Sequence, residues 1–250
     1  MKKKQLSPIN SPFEQSSWIW PESHHWDMHN AYALFRKEFE IKSLPPKAPL
    51  FITADQSYQL YVNGHYICRG PARGYQKSWP YDCVDIRIHL KRGKNLIAIR
   101  AHNPGFSNFQ YQTQGYAGLL VAAHWGTFRL HSDLTWKCRR QSGIHRDTVP
   151  TSLQLFCQEH IDLEMEDPHW FQPSYDDQNW NALVAACPWN AMPWYSLEER
   201  GIPLLEEKII LPQKRIGKAQ GKNAINFFPT RDVSRLLFSE NLSHTPDTGP

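Results

Sequence analysis

Apolar residues in this chain recur mostly at every second position rather than every third or fourth. Residues 33–41 (ALFRKEFEI) place Phe35, Lys37 and Phe39 on one side and Leu34, Arg36 and Glu38 on the other. That alternation predicts a strand with Lys37 as its polar intruder. Residues 49–54 form a short apolar run after Leu44-Pro45-Pro46, and residues 57–62 alternate again through Tyr58, Leu60 and Val62. Asn63-Gly64 separates that run from the next, at 65–68. Asn-Gly between two such runs predicts a hairpin, because both turn positions need positive φ. Further strands are predicted at 85–90, from the alternation of Ile86, Ile88 and Leu90, and at 96–101, 118–124, 127–130, 134–140 and 182–186. Residues 69–79 (RGPARGYQKSW) and 103–115 are too rich in Gly, Pro and polar residues for regular structure and predict two long loops. About ten short strands with no capped helical pattern predict an all-β fold, an antiparallel sandwich.

The same pass divides the chain. Residues 1–16 read as a loose, disordered tail, 17–190 as the sandwich, and 191–207, rich in Pro, as a linker. Residues 208–250 read as the first strands of a second β unit with a disordered end (SENLSHTPDTGP).

Composition sharpens this picture. With 250 residues, 40% of them hydrophobic and 21% charged, the chain has the makings of a large packed domain. The longest apolar run, 117–123, is too short for a membrane helix, so no membrane partner is expected. The opening MKKKQLSPINSP has no apolar segment of the secretory kind, which points to a cytoplasmic protein. A net charge of +4, with the basic residues scattered, gives no reason to expect nucleic acid. Five Cys with no C-x-x-C pair disfavour zinc and a disulfide framework and fit a reducing compartment. Ten Trp, ten Tyr, twelve Phe and nineteen Pro suit short strands joined by long loops. Rings at this density serve either a sandwich core or a surface that stacks on sugars.

Catalytic signatures are sparse. There is no G-x-S-x-G, H-E-x-x-H or dinucleotide fingerprint, and the 70–74 loop lacks the Lys-Ser/Thr of a phosphate loop, so no cofactor is expected. His25 and His29 would need a helix to share a metal with His24, and Pro21 and its surroundings predict a loop, so no metal is assigned. Glu159, Asp162, Glu164, Glu166 and Asp167 read as a solvated edge, since a glycosidase pair must face across a cleft. Asp176-Asp177 reads as a turn cap before a Ca²⁺ site. No catalytic residue is assigned. The informative cluster is Arg69, Arg73, Tyr75, Trp79 and Tyr81. Arg and aromatic rings on a rigid β base could hold a sugar by stacking and charge-assisted hydrogen bonds. They could equally dock a neighbouring domain. For Trp79 alone, burial in the core is the plain third reading.

An ordered series of short segments carries a family resemblance. It runs through Trp18-Ile19-Trp20, Leu34-Phe35-Arg36-Lys37-Glu38-Phe39, Tyr61-Val62-Asn63-Gly64, Arg69-Gly70-Pro71, Tyr81-Asp82, Asp85-Ile86 and Gly93-Lys94-Asn95-Leu96-Ile97-Ala98. It continues with Gln158-Glu159-His160-Ile161-Asp162, Trp170, Tyr175-Asp176-Asp177-Gln178-Asn179-Trp180, Trp194 and Glu199-Arg200-Gly201-Ile202-Pro203-Leu204-Leu205-Glu206. Over roughly residues 16–207 the chain resembles the N-terminal β-sandwich of bacterial α-L-rhamnosidase-like glycoside hydrolases. The resemblance implies a jelly roll of galactose-binding type and a catalytic α/α barrel elsewhere as partner. It carries over no catalytic carboxylates, since the family's lie in that barrel. The function it implies is a non-catalytic accessory module that packs on a catalytic domain. The alternative is a self-standing, lectin-like carbohydrate-binding module, with a rhamnose-containing glycan as its partner.

Overall fold

The computed structural model describes residues 11–22, 29–75, 77–148, 150–152, 154–180, 185–208, 210–211, 213, 217–221 and 242–246. Its first sheet contains β1 (Ser17–Trp20). The second contains β2 (Ala31–Ile41). Then follow β3 (Pro49–Asp55), β4 (Ser57–Val62), β5 (His65–Gly70), β6 (Trp79–Asp85), β7 (Gly93–Asn103), β8 (Gly118–Trp125), β9 (Phe128–His131) and β10 (Lys137–Arg140). Short strands complete the chain: β11 (Ile144–His145), β12 (His160–Ile161), β13 (Ala185–Pro188), β14 (Leu197–Glu199), β15 (Gly217–Gly221) and β16 (Leu242–Pro246). One sheet runs β13-β1-β8-β3-β6-β14, with β9 on β8, and the other runs β10-β2-β7-β4-β5. β11 pairs with β12, and β15 with β16, as separate ladders. The all-β sandwich expected from the alternation is the observed architecture.

The two sheets face each other across one core. Leu50, Ile52, Leu119 and Val121 of the first sheet meet Phe35, Leu60, Ile97 and Ile99 of the second, all fully buried. Asn63 and Gly64 both take positive φ (50° and 86°), as the predicted hairpin requires. Asn63 then binds the neighbouring turn. Its amide donates to the His89 carbonyl and to Asn95 Oδ1, both at 2.8 Å, and its Oδ1 accepts from Leu96 N–H. Asn95 in turn donates to the carbonyls of Lys91 and Gly93. The two asparagines lock the β4–β5 turn onto the start of β7.

Both outer faces are covered as well, which is where Trp18, Trp79, Trp170, Trp180 and Trp194 go, while Trp20 and Trp136 lie in the core between the sheets. Trp18, Trp79, Tyr81, Tyr111 and Trp194 bury Leu120 and Ala122 on the outside of the first sheet. Trp170 and Trp180 bury Leu34, Leu96 and Ala98 on the outside of the second. A strand covered on both faces loses its alternation, and β8 (GLLVAAHW) is buried from Gly118 through Ala123. A Cβ on Gly118 would come within 2.8 Å of the Trp18 ring and 3.2 Å of the Trp194 ring, so the close approach demands glycine. Arg36, itself 1% exposed, clamps the second outer layer. It pairs with Asp177 at 2.8 Å, donates to the Trp170 and Gln172 carbonyls and lies over the rings of Tyr175 and Trp180. Lys137 adds a second cation to Asp177 at 2.6 Å. Burial alone would raise the Asp177 carboxyl, but its hydrogen bonds from Arg36 and Lys137 win and hold it below the usual range.

Three expectations need correction. The strand lies at Trp79–Asp85 rather than at 85–90, where Arg87–His89 is a 3₁₀ turn that buries Ile86 and leaves Ile88 83% exposed. The alternation there marks a turn over the sheet edge. Residues 11–16 are not loose: Phe13 is fully buried against Phe51 and Tyr81. Residues 191–200 are no linker. Trp194 is fully buried, β14 pairs in parallel with β6, and Arg200 forms an ion pair with buried Asp82. Of the strand expected at 182–186, residues 185 and 186 lie in β13, and 182–184 fall outside the described residues. Residues 1–10 and Phe227-Phe228 also fall outside them.

Candidate functional site

The loop between β5 and β6 divides its residues between surface and core. Arg69 is exposed at the end of edge strand β5 and pairs with Glu207 at 2.9 Å. Arg73 is exposed near the loop tip, and Tyr75 is 73% exposed. Trp79 and Tyr81 turn inward instead. Trp79 is 2% exposed, and its indole N–H donates to Thr53 Oγ1 at 3.1 Å and to the Ala54 carbonyl. Tyr81 is 3% exposed against Phe13 and Phe51. Neither ring can stack on a ligand, because alternation along β6 aims both at the outer aromatic layer of the first sheet. The expected five-residue cluster is therefore a surface trio on a buried footing.

Several concavities flank this loop, and two of them bring its exposed residues together with distant segments. One, of about 600 Å³, is lined by Gln59, Arg69, Arg73, Arg100, Glu159 and Arg200, with Ile202 and Leu205 on its outer wall. Gln59, Arg69 and Arg100 come together because register places Gln59 opposite Arg69 on one side and Arg100 on the other. Most of its guanidinium groups are already matched. Arg100 contacts Glu166 at 3.5 Å, and Arg200 grips Asp82, which also accepts from the Tyr58 hydroxyl. His102, on the same wall, is stacked on Tyr32 at 4.0 Å. Burial lowers its pKa to about 3, so it is neutral at physiological pH.

The second concavity, also about 600 Å³, is lined by Tyr75 and Lys77 of this loop together with Gln112, Gln114, Tyr116, Met192 and Tyr195. Sequence reasoning missed the 112–116 and 192–195 members. They lie far from Tyr75 in the chain, and their only early signal was the aromatic content of segments taken for loop and linker.

A buried carboxylate fixes this arrangement. Asp55, at the end of β3, is fully buried and accepts from the Tyr111 hydroxyl at 2.5 Å and from the Trp194 indole N–H at 2.8 Å. Tyr111 and Trp194 immediately precede Gln112 and Tyr195, so one carboxylate holds both loops. Burial raises the Asp55 carboxyl to about 7, against the opposing pull of its two hydrogen bonds.

The other chemical candidates have structural duties. Asp176 Oδ1 accepts from Gln178 N–H in an Asx turn, and Asp177 serves the Arg36 clamp. Asp162 caps its own turn through Glu164 N–H, and Glu166 receives Arg100 and Gln141. His24 and His25 lie outside the described residues. Among the described residues no three His, Cys, Asp or Glu side chains are grouped so as to hold a metal ion.

Comparison with known proteins places this sandwich. An α-L-rhamnosidase of Streptomyces avermitilis is 27% identical over 213 residues, which is 83% of this chain but 18% of that protein. The structure of a GH78 family rhamnosidase of Bacillus sp. GL1 superposes with a TM-score of 0.72 at 33% identity, covering 76% of this chain and 20% of the other. A Pleurotus ostreatus lectin shares the fold at a TM-score of 0.52 and 21% identity, covering 80% of this chain and 48% of the lectin. The chain thus spans about a fifth of the rhamnosidases it resembles. Residues 44–199 match the α-L-rhamnosidase N-terminal domain, and with more than half of its length so matched the chain belongs to that family.

Proposed function

We propose that this chain is the non-catalytic N-terminal sandwich of an α-L-rhamnosidase-like glycoside hydrolase and that it packs on a catalytic region through the segment leaving β14. The observation that carries the reading is the condition of that segment. Arg200 is anchored on Asp82, and directly after it Ile202, Leu205, Ile210 and Leu211 are 61%, 62%, 88% and 77% exposed. Four large apolar side chains in water within eleven residues of a rigid anchor mark a surface that a further protein region covers. The family match and the greater length of the rhamnosidases it resembles, of which it spans about a fifth, support a catalytic region as that partner. The lectin likeness shows only the fold, so it lends the lectin-like alternative no weight of its own.

The test has two arms. The purified chain is expected to give no turnover of an aryl α-L-rhamnoside, and reproducible hydrolysis abolished by replacing one carboxylate would overturn the non-catalytic reading. The double substitution Ile202→Ser and Leu205→Ser is expected to lower binding of a hydrophobic dye and self-association while leaving Tm unchanged. A fall in Tm matching that of a core substitution would show these residues to be part of the sandwich itself.

A further inference from the structure

The groove between Tyr75 and Tyr195 has no role in that packing scheme, since none of the exposed residues 202–211 lines it. Its chemistry is specific. Tyr75, Tyr195 and Met192, 73%, 58% and 62% exposed, share its lining. Gln112 and Gln114 line it with them, and Lys77 is the single charged residue of the lining among the described residues. Aromatic faces offer an apolar plane, while amides both donate and accept hydrogen bonds. A pyranose ring presents the complementary set: an apolar C–H face and a fringe of hydroxyls that each donate and accept.

The groove is also held in shape. The Trp194 ring is stacked on Trp18 at 4.0 Å and bonded to Asp55, and Tyr116 packs edge-on against it at 6.2 Å. Tyr111 is bonded to the same carboxylate. In the β5–β6 loop the Ser78 N–H donates to the Tyr75 carbonyl at 2.8 Å, closing a tight turn, and Trp79 N–H donates to Ser196. Segments whose backbone is anchored in this way lose little conformational entropy on meeting a ligand. A cavity of about 600 Å³ lies within the range of small-ligand sites and accommodates a short saccharide.

We propose that this groove is a binding site for a neutral oligosaccharide, with Tyr75 and Tyr195 stacking on sugar rings and Gln112 and Gln114 reading hydroxyls. The concave shape and interleaved amides favour a sugar over a protein surface, which would need a flatter, more continuous apolar patch. The site goes beyond the packing role and stands without it. The family reading enters only in the choice of one probe.

The test titrates the full chain with a rhamnose-terminated trisaccharide and, separately, with cellotriose, by calorimetry and saturation-transfer NMR. Saturable binding of at least one probe is expected. Tyr75→Ala and Tyr195→Ala should each weaken it about five- to tenfold, the loss of one stacked ring, with Tm within a degree or two of the parent as measured beside each titration. Preference for the first probe would assign the groove to deoxy sugars, and equal binding to pyranoses in general. No binding of either probe, or binding that both substitutions leave unchanged, would overturn the proposal. Hydrolysis and dye-binding results bear only on the packing role, so the two readings fail separately.

Discussion

Asp55 makes the stability of this sandwich depend on pH in an unusual direction. Its carboxyl is fully buried with two neutral donors and, among the described residues, no ion pair, and burial raises its pKa from 3.8 to about 7. Between these two values the folded chain keeps a proton that the unfolded chain releases. Stability is therefore lost as pH rises through that window and levels off above about 7. One pKa unit corresponds to about 1.4 kcal/mol, so the full elevation is worth about 4 kcal/mol. Between about pH 4.5 and about pH 8 the loss from this one group is about 3 kcal/mol. Asp55→Asn removes the titration while keeping the shape, though its amide N–H₂ must face one of the two donors, a fixed cost of about 1–3 kcal/mol. Urea unfolding of both proteins, followed by tryptophan fluorescence across that range, separates the effects. Every other titrating group is shared and cancels in the difference. The substituted protein is expected to gain about 3 kcal/mol on the parent as pH rises. Stability curves that stay parallel would refute the reasoning, because they would mean that Asp55 is ionised throughout and stabilised by something other than its two donors.

Two further outcomes are expected. Trp79→Ala should cost about 3–5 kcal/mol of unfolding free energy, as for a core tryptophan, and a variant with an unchanged melt would return Trp79 to the surface. Arg36→Met should cost about 3–5 kcal/mol by leaving Asp177 without its buried partner, and adding Asp177→Leu should recover part of that. Strictly additive losses in the double variant, measured in the same denaturant series, would show that the pair is not coupled.

The alternation of β4 and of the second half of β2 was plain in the sequence because hydrogen-bond register and a facing sheet impose period two on them. The Asn63-Gly64 turn was equally plain, since few residue pairs tolerate its backbone. β6 was hidden for the opposite reason. Its Trp79-Pro80-Tyr81-Asp82 stretch is buried on both faces, and a proline in a strand argues against one. The parallel partner at Leu197–Glu199 pairs with that same stretch, and nothing local in a Pro-rich segment announces it. Within the site, Arg69, Arg73 and Tyr75 were legible as a polar loop. Tyr195 and Gln112 were not, because what joins them to Tyr75 is a carboxylate more than fifty residues from either, acting through their neighbours Trp194 and Tyr111.

The pairing of β1 with β13 sets a timetable for synthesis. Residues 17–20 lie against residues 185–188 in four register pairs, whereas a single pair, Ile19 with Leu119, ties β1 to β8. β1 must therefore wait for β13, far along the chain, before its edge is satisfied, and β6 must likewise wait for β14. Closing contacts so distant along the chain slows folding and prolongs the exposure of unpaired strand edges. During that interval Trp18 and Ile19 are without their final partners, which makes the nascent chain rather than the finished sandwich the form most exposed to aggregation, and most dependent on whatever shields it in the cell.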